Sequence, residues 1–439
     1  MKNCLIIILL LFGFVSAQNI VELYSLQQAL GLAAKQNLVL KGLEWQRKIS
    51  HTEVSQSQSG LWPTINLNAN SDYNLNLPVQ LIPASVFGGP VGTFREIRFG
   101  RNWNNSVAGD FTWAFLQADK YAQSRSGTLV GTQTVWDRQE QRRKIMIEVA
   151  SNYLQILILQ ETQNLNLMLD SVASLLAENT HALYLRSVGN KVDWQRAQNL
   201  KIQQHQQSIQ IETQKKIALR KLAASLNLPD SISLKVVEML PLKNQQSPFE
   251  RMDPHQLPAV KSARVGIELS KWKYRQTAWS AWPKLSLNSR YTFAEQTDYL
   301  FSKSANRFSY GTIGMSLSIP ILKGRSQQLL KHKAKYQWEL ARIQYLQQEK
   351  QATLEIQEWQ DLWNEKSQSL QFAEERDKQA ENNLILSTDS YFVGLISLDQ
   401  LFNIYSEYAQ AHNNYLQVLT DKILYQSCLE LSLQSSLLN

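Results

Sequence analysis

The side chains able to do chemistry are few and scattered. The six histidines are His51, His181, His205, His255, His332 and His412. No two of them stand at i and i+3 or i+4, the spacings that bring two ligands onto one helix face. No HExxH, CxxC or GxSxG occurs, so metallohydrolase, thiol-redox and serine-hydrolase chemistry lack their usual motifs. No P-loop or GxGxxG occurs either, so no nucleotide cofactor is expected and energy must come from a partner. The six methionines are too dispersed to form a soft-metal ladder. We therefore expect no catalytic, cofactor-binding or metal site, and no enzyme.

The polar residues that do recur in a pattern are asparagines. From Thr64 to Leu77 the even positions carry Asn66, Asn68, Asn70, Asp72, Asn74 and Asn76, and the odd positions carry Ile65, Leu67, Ala69, Tyr73, Leu75 and Leu77. Such alternation describes a strand with one wet and one apolar face. A returning strand places Trp103, Val107, Phe111, Trp113 and Phe115 opposite Asn104, Ser106, Asp110 and Thr112. A second pair sets Leu285, Leu287, Tyr291 and Phe293 opposite Lys284, Ser286, Asn288, Arg290 and Thr292, then returns through Ile313, Met315, Leu317 and Ile319. Phe308 and Tyr310 fall out of phase there, which suggests a bulge near Gly311. Each segment has the length of about 9–11 residues that a transmembrane strand needs. The rows Asn66, Asn68, Asn70, Asn74, Asn288 and Arg290 would then line a wet lumen. Trp62, Trp103, Trp113 and Trp282 would form a membrane-interface girdle. A soluble sandwich with one buried face is the alternative.

These strands recur because the chain repeats. Gly60-Leu61-Trp62-Pro63-Thr64-Ile65 resembles Ser280-Ala281-Trp282-Pro283-Lys284-Leu285, and Ser187-Val188-Gly189 resembles Phe392-Val393-Gly394. Phe115-Leu116 matches Ile321-Leu322. The first copy carries a longer, Pro- and Gly-rich loop between its strands. The expected organisation is a signal peptide over 1–17, a first repeat over 18–240 with a β-hairpin at 63–116, and a second repeat over 241–439 with a hairpin at 283–322. Lys2, the apolar run Leu5 to Val15 and Ser16-Ala17 form the signal peptide. Cys4 leaves with it, so Cys428 has no partner for a disulfide.

Four strands cannot close a membrane barrel, since single-chain barrels begin at about eight. Open edges in lipid leave backbone groups unsatisfied. Copies must share the wall, and three would supply twelve strands. Between the hairpins lie very long helical stretches. Ala118 to Ser187 contains no Pro and only Gly127 and Gly131, and Gly324 to Asp389 repeats the pattern. At 1.5 Å per residue each makes roughly 100 Å of helix. Heptad seams are expected along Leu165, Met168, Val172, Leu175, Asn179 and Ala182, and along Leu401, Ile404, Tyr408, Ala411, Tyr415, Val418, Lys422, Tyr425 and Leu429. Net charge is +8 of 439 residues, with Lys and Arg interspersed. No basic stripe or recognisable module points to nucleic acid.

The order of these parts resembles the TolC-type outer-membrane efflux protein family. The order is a leader, the Ser25-Leu26-Gln27-Gln28-Ala29-Leu30 opening, a Trp-Pro strand entry, a hairpin, a giant helix, a Val-Gly turn and a return helix, the last five twice. The likeness covers nearly the whole mature chain. It implies a mixed α+β membrane protein in the bacterial cell outer membrane. A trimeric twelve-stranded β-barrel, four strands per chain, would continue into a long α-helical barrel in the periplasm. It implies a homotrimer working with a periplasmic adaptor (membrane-fusion) protein and an inner-membrane pump of RND or ABC type, in outer-membrane lipid. It implies adaptor-docking helix tips at Val188, Gly189 and Asn190 and at Val393, Gly394 and Leu395. A periplasmic gate would comprise Tyr391, Asp399, Gln400 and Asn403. Here the sequence departs from the family, whose acidic gate positions carry Gln400 and Asn403 instead, with Asp399 the one carboxylate beside them. The function implied is the exit duct of a tripartite efflux pump. A type I protein-secretion duct and a non-transport periplasmic coiled-coil protein stay open at this point.

Overall fold

A computed structural model of the chain describes residues 20–229, 232–240, 252–299, 305–321 and 324–437. The expected signal peptide, with Cys4, and Leu322 lie outside them. The chain forms two compact units, each assembled from both repeats. One takes the chain up to Gln46, then Trp136–Lys261 and Gln348 onward; the other takes Arg47–Val135 and Ser262–Gln347.

The elements of the first repeat are β1 (Ile20–Leu23), α1 (Leu26–Gln36), α2 (Leu38–Ser59), β2 (Thr64–Tyr73), β3 (Val79–Pro83), β4 (Phe94–Arg98), β5 (Trp103–Leu116), α3 (Ala118–Leu185) and α4 (Lys191–Ser225). β6 (Ser233–Val236) follows, still ahead of residue 241, and the second repeat gives α5 (Pro258–Trp279), β7 (Lys284–Thr297), β8 (Asn306–Ser318), α6 (Ser326–Phe392) and α7 (Leu398–Leu437). The two giant helices, of 68 and 67 residues, stand where Pro-free, Gly-poor sequence placed them. No helix among the described residues is long and apolar enough to cross a membrane.

In the unit built on α1, α4 and α7, Ser25 caps α1 by accepting from the Gln28 amide at 3.2 Å. Buried Asn37 turns the chain into α2: its Oδ1 accepts from the Val39 amide at 2.9 Å, and its Nδ2 donates to the Ser225 carbonyl at 2.7 Å. β1 pairs in parallel with β6, and fully buried Leu23 joins Tyr153, Ile156, Leu222 and Val236 in one core. This small sheet has no counterpart in the expected layout, because four-residue strands carry too little pattern to detect. A second core holds Leu165, Leu169, Leu176, Leu401, Tyr405 and Tyr408. The α7 seam runs as expected, with Leu401, Tyr408, Ala411, Tyr415, Val418, Lys422 and Leu429 buried. The α3 seam does not. Met168 and Leu175 are exposed, and the buried row is Leu165, Leu169, Ala173, Leu176 and Ala177. A 3.6-residue turn drifts against a strict seven-residue count, and so many apolar residues in this stretch fit more than one phase.

In the other unit β2, β5, β7 and β8 form one antiparallel sheet in that order. Its register is continuous from Lys284↔Ser318 to Gln296↔Asn306, so the bulge expected near Gly311 is absent. The irregularity lies in β5, between Trp113 and Leu116. Phe308 and Tyr310 pair with Ala294 and Thr292, which puts them on the polar face. Gly311 stays because Tyr291 lies over it: an added Cβ would meet the ring at 2.9 Å. Beneath the sheet α2 and α3 approach closely at Gly127, Gly131, Ser57 and Val54.

Candidate functional site

Register assigns each strand residue to a face. Ile65, Phe111, Ser289 and Ile313 form one cross-strand row, and Leu67, Gly109, Tyr291 and Gly311 the next. This face is apolar and bare, with Ile65, Leu67 and Ile313 each 77% exposed. The other face is a polar lattice. Asn68 Nδ2 donates to Asp110 Oδ2 at 2.7 Å, and Arg290 Nη2 donates to the same carboxylate at 3.1 Å. Asn288 Nδ2 donates to Ser316 Oγ at 2.9 Å, and Ser286 and Ser316 share a hydrogen bond of 2.8 Å. Asn66 and Asn70 lie on this face opposite Asp110 and Ser106. Asn74 does not, because β2 ends at Tyr73; its Nδ2 ties the loop to the Arg101 carbonyl at 3.1 Å. Trp62, Trp113 and Trp282 mark the helix-proximal end of the sheet, where Trp113 Nε1 donates to the Leu61 carbonyl at 3.1 Å. Trp103 marks the far end, 5.0 Å from the Tyr73 ring.

The helix tips belong to the other unit. At the second tip Gly394 has φ +78°, and the Leu395 and Gly394 amides donate to the Ser390 and Tyr391 carbonyls, a Schellman closure. At the first tip the left-handed residue is Ser187, at φ +59°, while Val188 and Ser187 donate to Leu183 and Tyr184. The two Val-Gly dipeptides that align in sequence therefore occupy different places in their turns. Gly189 is needed for space: a Cβ there would stand 2.8 Å from the Leu183 Cβ. Asn190 caps α4 by accepting from the Val192 amide at 3.0 Å. Ser397 and Gln400 cap α7 reciprocally, Ser397 N donating to Gln400 Oε1 at 2.9 Å and Gln400 N to Ser397 Oγ at 3.3 Å. Asp399 is ion-paired with Arg196 of α4. Asn403 is exposed. Tyr391 packs against the second core, and its hydroxyl is held above its ordinary pKa, first by burial and then by the charge of Asp193.

No protein-family model matches the chain, and no curated protein matches it by sequence. Solved structures do. CusC, described as forming a transmembrane channel, superposes with a TM-score of 0.78 at 12% identity, over 93% of this chain and 91% of that one. The CmeC outer membrane channel of Campylobacter jejuni gives 0.76 at 13%, over 94% and 86%. The open MtrE outer membrane channel of Neisseria gonorrhoeae gives 0.73 at 14%, over 93% and 88%. The chain has the outer-membrane channel fold.

Within that fold, the strands and helix turns are held by contacts that carry little local signal in the sequence. Arg196, the partner of Asp399, and Asp193, beside Tyr391, sit in the first turns of α4 and carry no motif. His181, Trp194 and Tyr184 form a stack at the first tip, with Trp194 4.7 Å from His181 and 5.4 Å from Tyr184. The recurrence of aromatics at i and i+3 on α3 was the one available signal for it. Buried Arg143 is held by Glu140 at 2.7 Å, Glu355 at 3.2 Å and Ser432 at 3.2 Å, joining α3, α6 and α7. Among the described residues no three metal-ligating side chains converge.

Proposed function

We propose that the chain is the outer-membrane exit channel of an efflux system, working as a homotrimer without enzymatic activity. The observation that carries this is the four-stranded sheet with a bare apolar face, a polar lattice on the other face, and both edges, β2 and β8, unpaired among the described residues. An open edge in lipid costs several kcal/mol per unsatisfied backbone group. Pairing β8 of one copy with β2 of the next removes every edge and encloses the polar face. The likeness of the chain's fold to solved outer-membrane channels supports it. Asn66, Asn68, Asn70, Asn288 and Arg290 then line a water-filled lumen. The tryptophans at the two sheet ends sit at the two membrane interfaces.

In this reading the mature chain stands in the bacterial outer membrane and extends into the periplasm. An inner-membrane pump delivers substrate, and a periplasmic adaptor docks on the tips around Val188-Gly189-Asn190 and Val393-Gly394-Leu395. Gln400 caps α7, so the resting closure rests on the Arg196–Asp399 ion pair, with Asn403 one turn on from Asp399 along α7 and Tyr391 near Asp193. Adaptor docking opens the channel by favouring separated tips. Fractionation tests the location: detergent-extracted trimers from the outer membrane are expected, and soluble monomers released by osmotic shock would overturn it. Gly394→Val tests the tips. Its Cβ meets open space, but a left-handed valine costs about 1–2 kcal/mol, so export should fall while trimers persist.

A further inference from the structure

We propose that the apolar sheet face carries, at its end away from the helices, a groove that binds a phosphate-bearing lipid of the outer leaflet through Arg307. This rests on the outer-membrane reading above. Along β7 the apolar face runs from Leu285 to Phe293, ~27 Å at about 3.4 Å per residue. Tilted by about 40°, that band stands roughly 20 Å tall, close to the apolar height of a membrane barrel. The next row ends it abruptly. Ser71, Asn105, Glu295 and Arg307 lie side by side on the same face, one from each strand. Ser71 Oγ donates to Asn105 Oδ1 at 2.6 Å, Asn105 Nδ2 to Glu295 Oε1 at 3.4 Å, and Arg307 Nε to Glu295 Oε2 at 2.7 Å. Between this row and the apolar row beneath it lies a groove of about 480 Å³, walled by Asn105, Glu295 and Arg307 on one side and by Val107, Phe293 and Ser309 on the other.

The two walls match the two ends of one molecule. Phe293 is 60% exposed and Val107 42%, a seat for an acyl chain. The Arg307 side chain is 75% exposed and spends only Nε on Glu295; its two Nη groups take no partner among the described residues. A guanidinium fork with two free corners suits phosphate. Glu295 fixes the aim of that fork and repels the same ligand, so it is a positioning residue. A cation here is inexpensive because charged residues near a membrane interface cost only about 0–1 kcal/mol.

The test uses the full mature channel in phosphatidylcholine nanodiscs doped with bisphosphorylated lipid A or its dephosphorylated form, with retained lipid read by native mass spectrometry. The wild type should prefer the phosphorylated form, and Arg307→Gln should cut its retention about tenfold or more, the worth of one charge-assisted hydrogen bond. Arg307→Lys should retain part of the preference, Glu295→Gln should raise retention, and Arg342→Gln on α6 should change nothing. Equal retention by wild type and Arg307→Gln trimers, or equal retention of the two lipids, overturns the groove while leaving the channel reading intact. Failure of the chain to form membrane-embedded trimers overturns the channel reading itself.

Discussion

Replacing Gly127 by alanine should destabilise the protein, although alanine is the better helix former. Both effects can be sized. In a helix interior Gly→Ala contributes about 1 kcal/mol of stability. At Gly127, however, the new Cβ would lie 2.0 Å from Ser57 Oγ and 2.4 Å from Ser57 Cβ. Rotating Ser57 moves its hydroxyl but not its Cβ, so α2 and α3 must separate by about 1 Å. Overpacking of that kind costs about 2–3 kcal/mol, a net loss of about 1–2 kcal/mol. Gly266 of α5 is the control, because its Cβ would meet Gln133 Nε2 at an ordinary 3.6 Å. Gly266→Ala should gain about 0.5–1 kcal/mol. Thermal melts of the detergent-solubilised protein, followed by far-ultraviolet circular dichroism, should rank Gly266→Ala above wild type and Gly127→Ala below it. Adding Ser57→Gly to Gly127→Ala should recover most of the loss. Gly127→Ala melting at or above Gly266→Ala would refute the close-contact reasoning.

Arg143→Met should cost about 3 kcal/mol in the same melt, because Glu140 and Glu355 are left facing each other with little water; adding Glu140→Gln should recover part of it. Burial pushes the Cys428 thiol up to about 11, with the Arg143 charge partly opposing. The unfolded thiol releases its proton first, near pH 9, so stability should fall as pH rises from about 9 to 11, by up to about 1.4 kcal/mol per unit. A Cys428→Ala variant should lack that slope, and native Cys428 should resist iodoacetamide at pH 8 until urea is added. Asp399→Asn frees Arg196 and should raise the conductance of single channels in planar bilayers; unchanged conductance would count against the ion pair as a closure.

Much of the fold was legible because period-two alternation and the lack of Pro are strong local signals. The Asn66-Asn68-Asn70 row and the boundaries of α3 and α6 came directly from them. What stayed hidden was set by contacts distant in sequence. Nothing local tells Asp399 that Arg196 faces it, or tells β1 that β6 will pair with it. The Val-Gly turns misled for a related reason. Dipeptide identity suggested equivalent caps, while hydrogen bonding made Ser187 the left-handed residue at one tip and Gly394 at the other. The supposed bulge at Gly311 arose from demanding that aromatics face lipid. Phe308 and Tyr310 instead lie on the polar face, and Gly311 makes room for Tyr291.

The central claim is that β2 and β8 of different copies pair. Within one chain β5 and β7 separate them, about 14 Å at strand spacing, whereas a disulfide needs Cα atoms within about 7 Å. Cysteines placed on β2 at Ile65, Leu67 or Ala69 and on β8 at Ile313, Met315 or Leu317, in a Cys428→Ala background, can therefore cross-link only between copies. Oxidation of the doubly substituted protein in isolated outer membranes should give, for at least one combination, a ladder that stops at three times the chain mass. Monomer alone across all combinations, or a ladder that runs past the trimer, would contradict the closed three-copy wall.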